Sequence, residues 1–222
     1  MSSPEEEFPG IFCARLTARR ILIMMGGAAG GPRIRRHLMI TQIDLSILDW
    51  IQANLRGGFL DAVAPVITLF GEGGIFWIAL TVLLLVIPKT RKYGLAMFIA
   101  LALDVLLCNL IIKPIVARPR PWTYRPGIEA EIAALTKLPT DFSFPSGHTA
   151  IAFAGACGLL FSRNKWGVAA VILALLVGLS RLYLYVHYPS DVLAGAVLGT
   201  LCGLAGAILA KKCCIFYKKR HP

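Results

Sequence analysis

RLYLYVHYPSDVLAGAVLG, residues 181–199, reads as glycine-dotted membrane helix interrupted by three ionisable side chains, Arg181, His187 and Asp191. Such groups are costly at membrane depth and mark function there. Pro189 suits a first helical turn, so His187 falls at or just before a helix start. Asp191 stands at the fourth position after His187, close to one helical turn, so its carboxylate can face the ring and accept its N–H. That contact fixes the tautomer and leaves the other nitrogen free as a nucleophile. Taken alone, a His–Asp pair is more often structural than catalytic.

Composition sets the class. Hydrophobic residues make up 57% of the 222-residue chain and charged residues 16%, against about 45–50% apolar in soluble domains. An integral membrane protein is the simplest fit. The net charge of +11 is not a nucleic-acid footprint, because the basic residues sit at the ends of apolar segments. Lys89, Arg91 and Lys92, then Arg163 and Lys165, then Lys211, Lys212, Lys218, Lys219 and Arg220 mark cytoplasmic loops under the positive-inside rule. The cysteines (Cys13, Cys108, Cys157, Cys202, Cys213, Cys214) show no metal-ligand spacing and read as small hydrophobes or free thiols.

Residues 1–38 read as a disordered cytoplasmic extension or an upstream start-site artefact, 39–212 as the membrane-embedded domain, and 213–222 as a basic cytoplasmic tail. Between Ile40 and Arg56, Ile43, Ile47, Leu48, Trp50, Ile51 and Leu55 share one helical face, opposite Asp44, Asp49, Gln52 and Arg56. That pattern predicts an amphipathic helix in the interface. Six apolar segments follow, at 58–71, 73–88, 93–113, 147–162, 166–186 and 189–210. The first is short for a span of about 20 residues and reads as a tilted or partial crossing. The fold class is therefore all-α, a polytopic bundle of about six transmembrane segments. Six crossings put the basic loops on the cytoplasmic side and 114–146 outside, so Arg118, Arg120, Arg125 and Lys137 stand where the charge rule disfavours them.

Two further stretches converge on that outer face. In KPIVARPRP, Lys113 closes a span and Arg120 follows it, with prolines keeping the segment stiff and non-helical. In FPSGHT, Pro145 breaks the chain, Ser146 is an N-cap, and an apolar helix starts at once. A helix start cradles anions, Gly147 permits close backbone approach, and His148 sits in the first turn beside any bound phosphate. Two histidines, three cations and one helix N-terminus on one face match the needs of phosphoryl transfer.

Lys113-x6-Arg120-Pro121, Pro145-Ser146-Gly147-His148 and Ser180-Arg181-x5-His187-x3-Asp191 closely resemble the three-part signature of the type 2 phosphatidic acid phosphatase superfamily, which also holds vanadium-dependent haloperoxidases and glucose-6-phosphatase. The resemblance implies a helical bundle and an integral-membrane, metal-independent phosphatase without a cofactor. It makes His187 the nucleophile that forms a phosphohistidine, Asp191 its orienting carboxylate, and His148 the general acid. Lys113, Arg120 and Arg181 would clamp the phosphate with Ser146 and the Gly147 backbone. The compact chain looks like bacterial members such as undecaprenyl diphosphate phosphatases, with phosphatidate and phosphatidylglycerophosphate as the next substrates. The site would face the extracytoplasmic side of the cell membrane. A haloperoxidase-like enzyme and a non-enzymatic transporter or scaffold are the rival readings.

Outside these motifs, Gly195, Gly199 and Gly203 form a smooth stripe for close packing within the bundle, or for a dimer contact. Asp104 and Asn109 are expected to hydrogen-bond across helices, with a proton-linked role as the alternative for Asp104. Residues 127–138 fit either a short amphipathic helix over the site or an exposed loop. Trp122 and Tyr124 suit the headgroup zone.

Overall fold

The computed structural model describes residues 32–220, with side chains described for 39–216. Among these residues there are helices and turns and no strand, as the apolar pattern predicts. The expectation for 1–38 falls largely outside the described residues. Only the backbone from Pro32 enters, as the opening turns of helix α1 (Pro32–Leu55), which starts ahead of the Ile40 expected.

A boundary between two compact units falls within α1, after Ser46. In the first unit Ser46 Oγ donates to the Gln42 carbonyl at 2.9 Å. In the second, Trp50 and Leu55 are exposed, as an apolar face against lipid would be, while Leu48 is buried. The polar side of this half is occupied by protein. Gln52 Nε2 donates to the Tyr183 carbonyl at 2.8 Å, and the Tyr185 hydroxyl donates to Asp49 at 2.8 Å.

Helix α2 (Gly58–Thr68), a turn over Leu69–Gly74 and α3 (Ile75–Val86) form one broken apolar run, Gly58–Val86. The sequence reading splits this run at residue 72 and takes 58–71 as a tilted or partial crossing. The structure holds both halves of α2 against one end of a neighbouring helix: the Tyr183 hydroxyl donates to Asp61 at 2.6 Å, and Arg181 Nη1 donates to Thr68 Oγ1 at 2.6 Å. By length and composition the whole run, rather than either half, is long and apolar enough to cross a membrane. Gly73 and Gly74 take positive φ values of 55° and 67° at the break, a region that glycine enters without steric cost.

Helix α4 (Arg91–Asp104) continues through a π-helical stretch, Val105–Ile112, into short α5 (Lys113–Val116). Each wide turn shifts the helical register, and the run delivers Lys113 to a buried position rather than to lipid. Helix α6 (Glu129–Ala133) is the short amphipathic option realised, with Ile128 and Ile132 buried. Helices α7 (Gly147–Phe161), α8 (Gly167–Tyr183) and α9 (Pro189–Arg220) complete the bundle.

Helix α7 is the centre. Its residues from Thr149 to Leu159 are all buried, and Trp77, Met97, Leu101, Val177 and Cys202 close on it from four other helices. Its sequence alternates alanine and glycine with larger groups, which lets neighbours approach closely. The α9 glycine stripe uses this. A Cβ at Gly199 would lie 2.2 Å from the Ala150 carbonyl oxygen, and one at Gly195 would lie 2.7 Å from that of Ser146. The stripe thus packs inside the bundle. Leu, Ile and Val side chains such as Ile75, Ile78, Leu110, Ile172 and Leu193 point outward, as lipid contact requires.

Candidate functional site

The three motifs meet where α7 and α9 begin and where α5 and α8 end. Ser146 caps α7 as its sequence predicts, its Oγ accepting from the Thr149 amide at 3.5 Å and from the Thr149 hydroxyl at 2.9 Å. The Ser146 amide donates to the Asp191 carbonyl at 3.1 Å, which ties the starts of α7 and α9 together. A Cβ at Gly147 would lie 3.3 Å from Asn109 Oδ1 and 3.6 Å from Lys113 Nζ, so the missing side chain makes room for the lysine head.

His187 is completely buried between α8 and α9. Its Nε2 lies 3.0 Å from Arg120 Nη1, which also donates to the Val186 carbonyl at 2.7 Å. A guanidinium can only donate. Nε2 is therefore the acceptor, its lone pair directed at Arg120, and the ring proton sits on Nδ1. Burial, reinforced by the charges of Arg120, Arg181, His148 and Lys113, holds the His187 pKa well below the ordinary histidine value. The ring is a neutral imidazole with its basic nitrogen turned toward cations.

Asp191 faces the other nitrogen, as its spacing predicts, but at 3.5 Å from Nδ1 the contact is a close approach rather than a formed hydrogen bond. The reason is competition. Asp191 Oδ1 accepts from Arg118 Nη1 at 2.6 Å, and Oδ2 accepts from Ser143 Oγ at 2.5 Å and from the Tyr188 amide at 3.1 Å. Arg118 also donates to Ser190 Oγ at 2.7 Å and lies 3.7 Å from the Tyr188 ring centroid, a close cation–π contact.

The three expected clamp cations are all buried, and they differ in partners. Lys113 and Arg120 share the carboxylate of Asp141. Lys113 Nζ pairs with its Oδ2, Arg120 Nη2 pairs with its Oδ1 at 2.5 Å, and Arg120 Nε donates to its carbonyl at 3.0 Å. Burial alone would raise the Asp141 pKa. The hydrogen bonds and charges of Lys113 and Arg120 outweigh it and hold the carboxyl at about 2. Arg181 donates one N–H to Thr68, while its buried Nε has no hydrogen-bond partner among the described residues.

His148 lies in the first turn of α7, and its Nε2 is 3.0 Å from Glu72 Oε2. The broken run between α2 and α3 delivers that carboxylate. A Cβ at Gly71 would sit 2.9 Å from His148 Cβ, so the glycine lets the turn lie flat against the histidine.

All eight sequence-predicted residues thus collect in one region, and four partners join them that motif spacing did not single out: Glu72, Arg118, Asp141 and Ser143. Glu72 had a usable signal, a lone carboxylate among glycines in an apolar run. Arg118 stood out only as a charge on the disfavoured side, and Asp141 and Ser143 flank the second motif without belonging to it. Asp104 departs from expectation: it is fully buried, and its carboxylate oxygens have no hydrogen-bond partner among the described residues. Each carboxylate of the site is already engaged by a cation or a histidine, which makes the donor set poor for a divalent ion.

An undecaprenyl-diphosphatase of Sulfolobus acidocaldarius is 38% identical over 125 residues, which cover 56% of this chain and 58% of that relative. A decaprenylphosphoryl-5-phosphoribose phosphatase of Mycobacterium tuberculosis is 35% identical over 167 residues, 72% of this chain and 86% of its own length. In fold, the chain is similar to the crystal structure of a transmembrane PAP2-type phosphatidylglycerolphosphate phosphatase from Bacillus subtilis, with a TM-score of 0.64 and 24% identity across 91% of this chain and 94% of that one. Residues 89–213, more than half of the chain and all three motifs, match the profile of the PAP2 superfamily, and the chain belongs to that superfamily.

Proposed function

We propose that this protein is an integral-membrane lipid phosphatase that hydrolyses a lipid phosphate or diphosphate through a phosphohistidine on His187. The observation that carries the reading is the neutral His187 ring, whose Nε2 lone pair is held 3.0 Å from a clamp arginine with Asp191 behind it. An in-line nucleophile inside a cluster of cations is the arrangement phosphoryl transfer requires.

In the first step His187 Nε2 attacks phosphorus, an N–P bond forms and the bond to the lipid oxygen breaks. The Arg120 N–H resting on Nε2 passes to a phosphoryl oxygen. Lys113 and Arg181 take up the charge on the other oxygens, and the unpartnered Arg181 Nε is a ready donor. His148 gives its proton to the departing oxygen, and Glu72 supports the positive ring that must carry it. In the second step water attacks the phosphohistidine, His148 takes a proton from that water, and inorganic phosphate leaves. Asp191 balances the charge that His187 acquires while phosphorylated.

The two relatives described above are named for polyprenyl-linked substrates, and the site residues stand at the ends of apolar helices. A headgroup can reach them there while its tail stays in the bilayer. We favour undecaprenyl diphosphate, with phosphatidate and phosphatidylglycerophosphate next. The basic loops at 89–92 and 163–165 support a site on the extracytoplasmic face of the cell membrane. Phosphate release by detergent-purified protein from these lipids and from glucose 6-phosphate tests the reading. A lipid should lead in kcat/KM, His187→Ala should abolish turnover, and His148→Ala should lose about 10²–10⁴-fold. Equal use of glucose 6-phosphate, or a near-normal His187→Ala rate, refutes it.

A further inference from the structure

The carboxylate of Asp141 spans Lys113 and Arg120, the two cations that a phosphate headgroup would need. Its side chain is 50% exposed, while theirs are 10% and 6% exposed. It therefore lies on the rim of the cradle, with water on its far side. The other acid–arginine pair of the site is built differently: Asp191 and Arg118 are 0% and 8% exposed, and Asp191 has no solvent to return to. A half-exposed carboxylate regains hydration when it lets go, so Asp141 is displaceable where Asp191 is not. Arg120 does not depend on it for position, since the carbonyls of Asp141 and Val186 also hold the guanidinium, at 3.0 Å and 2.7 Å.

We propose that Asp141 is a specificity-determining residue, a tethered anion that keeps singly charged phosphodiester headgroups off Lys113 and Arg120 and yields only to phosphate groups bearing two or more charges. The proposal rests on the reading of these cations as the phosphate clamp. A diester headgroup brings one negative charge, the same as Asp141, and has to displace a competitor bound to the same chain. Tethering gives that competitor a high effective concentration, so the exchange favours Asp141. A phosphate monoester or a terminal diphosphate brings a second charge and more equatorial oxygens, enough to engage Lys113, Arg120 and Arg181 together. Its carboxyl is held at about 2, so it stays charged, and the filter stays set, across the range in which a membrane enzyme works. The value to the protein is plain: phosphodiester lipids make up the bulk of a bilayer, and a cationic cradle open to the membrane would otherwise fill with them.

The test uses the full-length enzyme in mixed micelles, with phosphatidate as substrate. Phosphatidylglycerol, a singly charged diester, is titrated in, with net-neutral phosphatidylcholine as the control for surface dilution. Asp141→Asn keeps the shape and removes the charge. It should become competitively inhibited by phosphatidylglycerol, with an inhibition constant about tenfold lower than wild type, the scale of two partly exposed ion pairs. Orthovanadate should also bind the variant more tightly, while Asp141→Glu should retain the exclusion. The proposal is overturned by unchanged phosphatidylglycerol sensitivity. It is equally overturned by weaker vanadate binding with a raised KM, which would make Asp141 a strut for the cations. If Asp141→Asn does not purify as a single species, wild type decides: dimethyl phosphate should inhibit far more weakly than methyl phosphate, and equal inhibition overturns the filter. Failure of the phosphatase reading looks different, since wild type would then release no phosphate from any lipid.

Discussion

Replacing Arg118 with methionine asks whether the nucleophile depends on a cation that pairs with Asp191 and rests on the Tyr188 ring. Methionine keeps an unbranched stem over the Tyr188 ring and removes the charge and its donors. The Arg118–Asp191 contact is 2.6 Å long, with exposures of 8% and 0%, so water screens it poorly. With charge centres about 4 Å apart and an effective dielectric of about 20, the attraction is about 4 kcal/mol. Removing one member of a buried pair costs a similar amount, about 3–5 kcal/mol. Asp191 keeps the Ser143 hydroxyl and the Tyr188 amide, which places the expected destabilisation near the lower end, at about 3 kcal/mol. Catalysis should suffer too, because a carboxylate freed from Arg118 can swing away from His187 Nδ1 and no longer orients the ring. Losing that function costs up to about 10⁴-fold in related His–acid pairs. Thermal unfolding in detergent and steady-state phosphate release are the two assays. We expect a lower midpoint and a kcat reduced by about 10²-fold or more, with KM nearly unchanged. A raised KM with intact kcat would make Arg118 a substrate contact and refute the reasoning, as would a variant as stable and active as wild type.

Other outcomes follow from the same geometry. Glu72→Gln should slow hydrolysis of alkyl phosphate lipids by about tenfold or more, yet hardly affect p-nitrophenyl phosphate, whose leaving group needs little protonation; equal losses on both would mean that Glu72 is merely structural. His187 is held neutral in the fold, so its folded pKa lies below its unfolded value of about 6.5. The unfolded chain then binds the extra proton first, and both stability and the nucleophile are kept above that value and lost as pH falls through the folded one. The acid limb of kcat/KM should accordingly lie below the ordinary histidine range, and a limb at or above pH 6.5 would contradict the neutral-imidazole assignment. For sidedness, single cysteines placed at 91, 127 and 164 of a cysteine-free variant, probed on intact cells with an impermeant thiol reagent, should label at 127 alone. Labelling at 91 and 164 instead would put the site on the cytoplasmic face.

Much of this was legible in the chain. Apolar runs bounded by charge gave the helices, and the three motifs that carry the family resemblance pointed to eight residues that the fold collects in one region. The break inside Gly58–Val86 was legible as a boundary at residue 72, but its backbone cause and its contacts were not, since both halves are equally apolar. The break is made by backbone freedom at Gly73 and Gly74 and fixed by contacts from Thr68 and Asp61 to a distant helix. The supporting partners were hidden for a related reason. Glu72 meets His148 across 76 positions and Arg118 meets Asp191 across 73, and no local periodicity encodes such pairs. A carboxylate such as Asp141, two residues from a motif neighbour, looks like loop polarity until the fold sets it between one lysine and one arginine head.

The site contains two histidine–carboxylate pairs, and their surroundings differ in the way their proposed tasks differ. A nucleophile has to be uncharged when the phosphate arrives, and it must not spend its lone pair on water. His187 meets both needs by being 1% exposed beside Asp191, which is 0% exposed, with cations on the remaining sides. An acid that turns over regains its proton in each cycle from the attacking water, and that water has to reach the ring from solvent. His148 is 19% exposed and its partner Glu72 is 59% exposed, so this pair can exchange protons with bulk water. The same division fits the direct ion pair that Arg118 makes with Asp191, where Glu72 makes none with a lysine or arginine among the described residues. An imidazole that becomes positive as phosphohistidine forms, sealed from water, leans on a carboxylate that must itself stay fixed and charged before the reaction begins. Arg118 supplies that constancy from the far side of Asp191, while solvent serves the same purpose for Glu72.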